Sequence, residues 1–282
     1  MRTEKYDVLI LGGGNAGMGV TVATRAAGMS VAMVEPRELG GTCPNRGCTP
    51  KKVLVAAGHA LHEIERASAH CISVGEPRLD WAALIDREKQ MISHIPASLG
   101  RLMAERGVEV IRGEAAFAGP NAARVGGRTI EARHIVIATG SKPRALPIPG
   151  ADQMITSDEV LSERELPREV VFVGGGVIAA ELGHVYARAG AKVTILEVLP
   201  HLLPGMDADA VARLRTESER IGIAVKTGVT VKRIAARGGR FVVMFDHDGA
   251  EHEIEADRVV NGAGRVANVD TLDLDAGRVR RR

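Results

Sequence analysis

The sequence predicts an α/β fold made of two similar three-layer domains, the second inserted in the first. Two observations predict this fold. The chain has 282 residues, is 45% hydrophobic and contains 33 glycines, which is enough for two domains that each have a core. One pattern also occurs twice: an apolar strand-like run, a glycine-rich turn, a helical stretch, and a second strand that ends in a glutamate.

The first copy of the pattern starts with YDVLILGGGNAG, residues 6–17. Gly12, Gly14 and Gly17 have G-x-G-x-x-G spacing, and the second strand, SVAMVE, ends at Glu35. In such a motif the first glycine allows a tight turn, the second lets a pyrophosphate approach the backbone, and the third allows close helix–strand packing. The helix N-terminus then faces the phosphates, and the glutamate can accept hydrogen bonds from a ribose.

The second copy starts with EVVFVGGGVIAAE, residues 169–181. Gly174, Gly176 and Ala179 repeat the spacing, and the strand KVTILE ends at Glu197. A single copy would also fit a plain turn, whereas two complete copies predict two Rossmann-like domains and two bound dinucleotides. Because a glutamate repels a 2′-phosphate, the second site is predicted to prefer NADH to NADPH.

The remaining elements follow from local patterns. The sequence predicts helices over 50–67, 81–106 and 207–221, and strands over 223–234, 240–245 and 252–260. The apolar run that starts at His134 is predicted to be a strand that meets a turn at Thr139-Gly140. Three prolines after Thr139-Gly140 indicate a linker. We therefore predict domains at 1–145 and 146–264, followed by a connecting segment and basic tail at 265–282.

Charge and the N-terminus exclude several classes of partner. The chain has 37 Lys and Arg against 35 Asp and Glu, and four of the arginines lie in the last five residues. This composition predicts no basic surface for a nucleic-acid backbone. The N-terminal apolar run is too short for a signal peptide or a membrane span. We therefore expect a cytoplasmic protein with neither nucleic acid nor membrane as its partner.

Two of the three cysteines lie together in LGGTCPNRGCTPKK, residues 39–52. Cys43 and Cys48 stand where a helix begins and just before two lysines, and both features favour a thiolate. Such a pair can cycle between dithiol and disulfide. Two unrelated thiols remain an alternative, as does a metal site, although zinc usually needs a second ligand pair and the sequence has none. The third cysteine, Cys71, is predicted to be a bystander.

The thiol segment resembles the redox-active disulfide motif of the flavin-dependent pyridine nucleotide–disulfide oxidoreductases. This is the family of glutathione reductase, dihydrolipoamide dehydrogenase and mercuric reductase. The two glycine motifs, ATG at 138–140 and GAGRVAN at 262–268 also follow the order and spacing of that family. The resemblance therefore covers essentially the whole chain.

The resemblance implies that FAD lies on the first glycine motif and NAD(P)H on the second. The FAD contacts it implies are Gly12, Gly14, Gly17, Glu35, Thr42, Cys43, Ala115, Thr139 and Gly140. The NAD(P)H contacts it implies are Gly174, Gly176 and Ala179. We also predict that two further residues bind a cofactor. Glu197 is predicted to contact the ribose of the nicotinamide dinucleotide, and Gly264 belongs to the GAGRVAN segment.

The resemblance also implies catalytic roles for four residues. Cys48 resembles the thiol that exchanges electrons with the flavin, and Cys43 resembles the exposed thiol that attacks substrate. Lys51 resembles the lysine that pairs with a glutamate beside the flavin, and Glu181 is at the matching position. Since members of the family place this lysine at either position, Lys52 is the alternative.

The implied activity is electron transfer from NAD(P)H through FAD and the thiol pair to a small disulfide or a lipoyl-type substrate. Two positions depart from the family pattern. Glutathione reductases tend to carry tyrosine at the position of Val177, and a small apolar residue is common at the position of Arg46. The resemblance therefore does not identify the substrate. A non-catalytic nucleotide-binding or redox-sensing relative is the second hypothesis. A flavin monooxygenase is the third, but it does not explain the two cysteines.

The sequence stops soon after GAGRVAN, where the family continues with a returning flavin-binding segment and an interface domain that carries a His–Glu base. We therefore expect this chain to lack the domain through which family members form homodimers. None of its nine histidines has the context of the family's base, and His59 and His62 are expected to be ordinary helix residues. On this basis the chain alone is expected to be a poor disulfide reductase.

Overall fold

A computed structural model describes residues 3–281 of the chain. The helices are α1 (Asn15–Ala26), α2 (Thr42–Arg46), α3 (Cys48–Arg66), α4 (Trp81–Ile92), α5 (Ile95–Glu105), α6 (Ser157–Val160), α7 (Val177–Arg188) and α8 (Ala208–Arg220). The strands are β1 (Thr3–Leu11), β2 (Val31–Glu35), β3 (Glu109–Arg112), β4 (Ala115–Gly119), β5 (Ala122–Val125), β6 (Arg128–Ile137), β7 (Ser141–Pro143), β8 (Glu169–Val173), β9 (Lys192–Glu197), β10 (Ala224–Thr227), β11 (Thr230–Arg237), β12 (Arg240–His247), β13 (Ala250–Ala256), β14 (Arg258–Asn261) and β15 (Arg265–Ala267).

The described chain forms two compact units. The first unit contains residues 3–49, 90–142 and 266–281, and the second contains residues 50–89 and 143–265. Most of the second unit is therefore a single insertion between residues 142 and 266 of the first. Helix α3 begins in the first unit at Cys48 and continues in the second unit from Pro50.

The first unit is built on a six-stranded sheet with the order β3-β2-β1-β6-β5-β4. Strands β3, β2, β1 and β6 are parallel, and β5 and β4 extend the sheet in antiparallel fashion. Residues 8–11 of β1 and all of β2 are buried, as expected for central strands covered on both faces.

The second unit repeats this plan with a parallel sheet in the order β10-β9-β8-β14. Strands β11, β12 and β13 form a separate antiparallel sheet. In both units a buried strand leads through a glycine turn into a helix and then into a parallel neighbour. The predicted α/β fold with two Rossmann-like units is confirmed.

Several predicted elements are divided in the structure. The single helix predicted over 81–106 is wrong, because α4 and α5 are separated at residues 93–94. Pro96 stands at the start of α5, where a missing backbone N–H removes no intrahelical bond, so it favours a new helix there. The runs at 223–234 and 252–260 each contain parts of two strands, since turns interrupt them near Gly228 and Asp257.

Residues 50–89 pack into the core of the second unit. Leu54 of α3 and Trp81 of α4 are buried in one cluster with Tyr186 of α7. The rings of Trp81 and Tyr186 stack with centroids 5.4 Å apart, and the Trp81 indole N–H donates to the Glu163 carbonyl at 2.9 Å. In the described part of the chain, none of the helices combines the length and apolar character that crossing a membrane requires.

Candidate functional site

The first glycine turn connects β1 to α1 and has room only for glycine at two of its positions. Gly12 has a φ of +115°, and a Cβ there would lie 2.3 Å from the carbonyl oxygen of Ala138. A Cβ on Gly17 would lie 2.0 Å from the carbonyl oxygen of Gly12. The tight turn and the close helix–strand contact predicted from the spacing are therefore both present.

The second glycine turn connects β8 to α7 with closely similar geometry. Gly174 has a φ of +102°, and a Cβ there would lie 2.5 Å from the carbonyl carbon of Gly262. A Cβ on Gly262 would in turn lie 2.8 Å from the Gly174 oxygen. Gly262 is not among the predicted site residues, although its place in GAGRVAN directly after an apolar strand-like run is a usable signal.

The helices that follow the two turns start in a form suited to anions. Gly14 and Gly176 are the extended N-cap residues of α1 and α7, and neither helix has a side-chain cap or an acidic residue in its first turn within the described chain. The first backbone N–H groups of a helix have no intrahelical acceptor, and the positive end of the helix dipole adds to their field. Each turn can therefore hold a pyrophosphate.

Glu35 and Glu197 bind the glycine turns that precede them. Glu35 is 8% exposed and accepts hydrogen bonds from the backbone N–H groups of Gly13, at 2.7 Å, and Arg37, at 2.8 Å. Glu197 is 6% exposed and accepts from the N–H groups of Gly175 and of Leu199, the latter at 2.8 Å. The acid predicted to contact a ribose thus also fixes the turn beneath the phosphates in both units.

The thiol segment is attached to the first glycine turn through its backbone. The Gly40 N–H donates to the Gly13 carbonyl at 2.8 Å, and Gly40 forms a parallel bridge with Gly14. Gly41 has a φ of +65°, and a Cβ there would lie 2.8 Å from the Cα of Gly14. Glycine at position 41 therefore allows the two segments to approach so closely.

The two cysteines lie at the ends of consecutive helices in this segment. Cys43 is in α2 and partly buried, whereas Cys48 begins α3 and is exposed, and the structure shows both as thiols. Between them, the Arg46 guanidinium lies 2.6 Å from the Glu38 carboxylate. The pKa of Glu38 is lowered, first by a hydrogen bond to its own backbone N–H and then by Arg46.

Lys51 forms an ion pair with Glu181. The Lys51 Nζ donates to the Glu181 Oε1 at 2.5 Å, and the lysine side chain is 21% exposed. Lys51 lies in the first turn of α3 and Glu181 in the second turn of α7, so packing of these helices within the second unit joins residues 130 positions apart. Of the two adjacent lysines, Lys51 therefore contacts the glutamate, while the side chain of Lys52 is exposed.

The other predicted site residues lie at turns or in the core. In the first unit, Thr42 is exposed at the start of α2 and Ala115 is buried in β4. The carbonyls of Thr139 and Gly140 accept hydrogen bonds from the side-chain and backbone N–H groups of Asn268. In the second unit, Gly264 has a φ of +96° and its carbonyl accepts from the Arg144 N–H at 2.9 Å.

A cavity of about 640 Å³ lies beside the Lys51–Glu181 pair within the second unit. Val177, at the start of α7, lines it and is 48% exposed. His184 also lines it and was not singled out from the sequence, although its position three residues after Glu181 places it on the same helix face. Across residues 3–281, no group of three or more His, Cys, Asp or Glu side chains could hold a metal ion.

Comparison with known proteins shows similarity over nearly the whole chain. The sequence profile of the pyridine nucleotide-disulphide oxidoreductase family matches residues 6–281. A dihydrolipoyl dehydrogenase of Halobacterium salinarum is 34% identical over 96% of this chain and 59% of its own length. A mercuric reductase of Staphylococcus aureus is 31% identical over 99% of this chain and 52% of its own length.

A solved structure shows the same similarity in three dimensions. The Cu(II) complex of the HOCl-induced flavoprotein disulfide reductase RclA from Escherichia coli superposes with a TM-score of 0.83 at 28% identity. The match covers 97% of this chain and 59% of that one. The chain thus spans between half and three fifths of the length of these relatives.

Proposed function

Because the chain belongs to the pyridine nucleotide-disulphide oxidoreductase family, we propose that it carries the FAD site, the nicotinamide site and the thiol pair of such an enzyme. The observation that carries this proposal is the repeated cradle: a glycine turn that a Cβ would block, an uncapped helix N-terminus, and a buried glutamate that fixes the turn. FAD would occupy the cradle of the first unit, with Thr42, Ala115, Thr139 and Gly140 completing the site. NAD(H) would occupy the cradle of the second unit.

The chemistry assigns distinct work to the chain's own residues. When bound, FAD supplies the ability to accept a hydride and pass an electron pair to a disulfide. Cys43 and Cys48 would form one S–S bond when two electrons and two protons leave their thiols, and return to thiols in the reverse step. In the reduced pair, the Cys43 thiolate would attack one sulfur of a substrate disulfide, break its S–S bond and release a first thiolate, leaving a mixed disulfide. The Cys48 thiolate would then attack the Cys43 Sγ, form the Cys43–Cys48 bond and release the second thiolate.

By resemblance to the family, Lys51 and Glu181 would act as a positioned cation and its partner. Lys51 lies one helical turn after Cys48 in α3, and the Glu181 carboxylate holds its ammonium group. A fixed positive charge favours negative charge that develops on a nearby acceptor during electron transfer.

The relatives are named after dihydrolipoyl groups and mercury, so their names do not point to one substrate for this chain. We therefore propose a small disulfide, or a dithiol of lipoyl type, as the class of substrate. We also propose the domain boundaries at 145 and 264.

The test is the spectrum of the purified chain supplied with FAD. A flavin band that stays with the protein and bleaches when NADH is added anaerobically would support the proposal. Mass spectrometry without reductant should find Cys43 and Cys48 joined in the oxidised protein. A protein that binds no flavin, or an oxidised folded protein with two free thiols, would contradict it.

The nicotinamide preference forms a separate proposal. The Glu197 carboxylate is buried at the end of β9 and would face a 2′-phosphate with like charge, so NADH should bind more tightly than NADPH. Glu197→Gln keeps a hydrogen-bond acceptor but removes the charge, so it should narrow the difference in affinity between NADH and NADPH. The control variant Glu165→Gln, at an exposed position, should leave this difference unchanged. Titration of each variant with both nucleotides measures this, and tighter binding of NADPH to the unmodified chain would overturn it.

A further inference from the structure

The cavity of about 640 Å³ in the second unit extends well beyond the Lys51–Glu181 pair. Its walls are two helices, α3 and α7, with residues from the segment after β9 and from α8. Much of the lining is apolar and includes Val55, Val185, Leu203 and Leu214. Small-molecule sites typically have this size and an apolar lining with a few polar groups.

The far part of the cavity lies one to two helical turns past Glu181. His184 and Arg188 follow that residue by three and seven positions on α7, or about 4.5 and 10.5 Å along the helix axis. The nucleotide cradle is at the N-terminal end of the same helix, where Val177 lines the near end of the cavity. This far part is therefore a separate region from the one proposed for the nicotinamide dinucleotide.

Positive charge exceeds negative charge around the cavity. Among the described lining residues, Lys51, Lys52 and Arg188 are permanent cations and Glu181 is the one carboxylate. Lys51 is neutralised by Glu181. A carboxylate outside the lining, Glu65, lies 3.9 Å from Arg188 and 3.6 Å from Arg220, whose nearer partner is Glu217 at 2.8 Å.

The hydrogen bonds of His184 favour one tautomer. The Ser218 hydroxyl donates to the Leu214 carbonyl at 2.8 Å, and the His184 Nε2 lies 2.8 Å from the same hydroxyl oxygen. The two hydrogen bonds are made together when Nε2 carries the proton and donates to the Ser218 hydroxyl. The Nδ1 atom therefore has a lone pair and can accept a proton on the ring that lines the cavity.

Burial keeps this ring neutral at physiological pH. The pKa of His184 is lowered, mainly by burial and then by the charge of Arg188, while Glu217 acts in the opposite direction. The Nδ1 atom of a second cavity histidine, His62, is buried without a hydrogen-bond partner in the described chain and lies 3.5 Å from Glu65. Two imidazoles therefore line an apolar, cationic cavity.

We propose that this cavity binds a small organic anion with an apolar body, such as a medium-chain carboxylate, and takes up one proton as the anion binds. The apolar part would displace water from the helix faces, and the cations would attract the carboxylate. A carboxylate has no proton to donate to the His184 Nδ1, so a proton from solvent must enter between these two acceptors. The charged and titratable groups near His184 are Lys51, Lys52, His59, His62 and Glu65 of α3, Glu181 and Arg188 of α7, and Glu217 of α8.

Calorimetric titration of the 282-residue chain with octanoate tests this proposal. We expect saturable binding that weakens as pH rises from 6 to 8, by up to about tenfold per pH unit, and proton uptake that shows as a dependence of the heat on buffer ionisation enthalpy. Octylamine, which has the same apolar body and a positive charge, should bind at least tenfold more weakly. Saturating NADH should leave octanoate binding unchanged.

Three variants separate the site from general hydrophobic binding. Gly58→Leu fills the cavity, because a Cβ at Gly58 already lies 3.4 Å from the Arg188 side chain, and it should abolish binding while helix propensity favours the fold. His184→Gln should remove the pH dependence and the proton uptake. The exposed His94→Gln should change neither.

Specific outcomes would overturn the proposal. Absence of octanoate binding at pH 6, binding that persists in a folded Gly58→Leu protein, or proton uptake that persists in His184→Gln would each do so. Competition with NADH would also do so, because it would assign the cavity to the nucleotide site. The proposed enzyme function does not enter this test, since a chain that binds no flavin can still bind octanoate.

Discussion

The glutamate that fixes the first glycine turn gives the sharpest prediction about stability. Glu35→Ala removes the acceptor of two backbone N–H groups, those of Gly13 and Arg37. The first of these groups is buried and cannot gain water in exchange, whereas the second is partly buried and can. The variant should therefore destabilise the first unit through unsatisfied donors rather than through lost apolar packing.

The expected magnitude follows from these two hydrogen bonds. A buried donor left without a partner costs about 1–3 kcal/mol, and losing a hydrogen bond at a partly solvated group costs about 0.5–1.5 kcal/mol. Glu35→Ala should therefore lower the free energy of unfolding by about 2–4 kcal/mol. Glu35→Gln keeps one carbonyl acceptor and should cost about half as much.

Urea unfolding followed by circular dichroism measures the loss, and amide hydrogen exchange localises it. If 2 kcal/mol is lost in local opening, the Gly13 N–H should exchange about thirtyfold faster. The exposed Glu114→Gln in the same unit is the matched control and should change the unfolding free energy by less than about 0.5 kcal/mol. Glu197→Ala is the corresponding variant of the second unit, and we expect it to destabilise that unit in the same way.

One result would refute this reasoning. If Glu35→Ala lost less than about 0.5 kcal/mol and left exchange at Gly13 unchanged, the two N–H groups would not depend on the carboxylate. The glutamate would then serve only the ligand, and its hydrogen bonds in the folded chain would contribute nothing measurable.

Three further predictions follow. Gly174→Ala should lower the free energy of unfolding by about 1–3 kcal/mol and weaken NADH binding in a titration, because the φ of Gly174 is +102° and the new Cβ would meet Gly262. Unchanged NADH binding would contradict this prediction. Glu88 is fully buried and its pKa is raised, so its protonated form favours folding at low pH, and this contribution is lost as pH rises through the folded-state pKa. Glu88→Gln should therefore raise the unfolding free energy at pH 8, with a gain that shrinks towards pH 4. An effect of Glu88→Gln that does not depend on pH would count against this prediction. Lys51→Met should slow anaerobic flavin reduction by NADH about 10–100-fold, which corresponds to the free energy of one charged hydrogen bond. Lys52→Met should leave this rate unchanged. Equal effects of the two variants in stopped-flow measurements would show that Lys51 and Lys52 do not differ in role.

Local sequence determined the two glycine turns and the helices that follow them, because the glycine spacing and the helix starts lie within a few residues. Positive φ at Gly12 and Gly174, and close contact at Gly17, are requirements of the backbone itself, so glycine spacing reveals them. The buried strands β2 and β9 end at Glu35 and Glu197 as predicted, since each apolar run stops there, and both glutamates are themselves buried. The roles assigned to these residues in binding cofactors remain predictions.

Only the tertiary structure decided how distant residues meet. It joined Lys51 rather than Lys52 to Glu181, because the packing of α3 against α7 selects one face of each helix. It turned each acid back onto a glycine turn 22 positions earlier, and it placed His184 on a cavity with its Nε2 atom 2.8 Å from the Ser218 hydroxyl. Such contacts depend on the register of packed elements, which local propensity and periodicity do not encode.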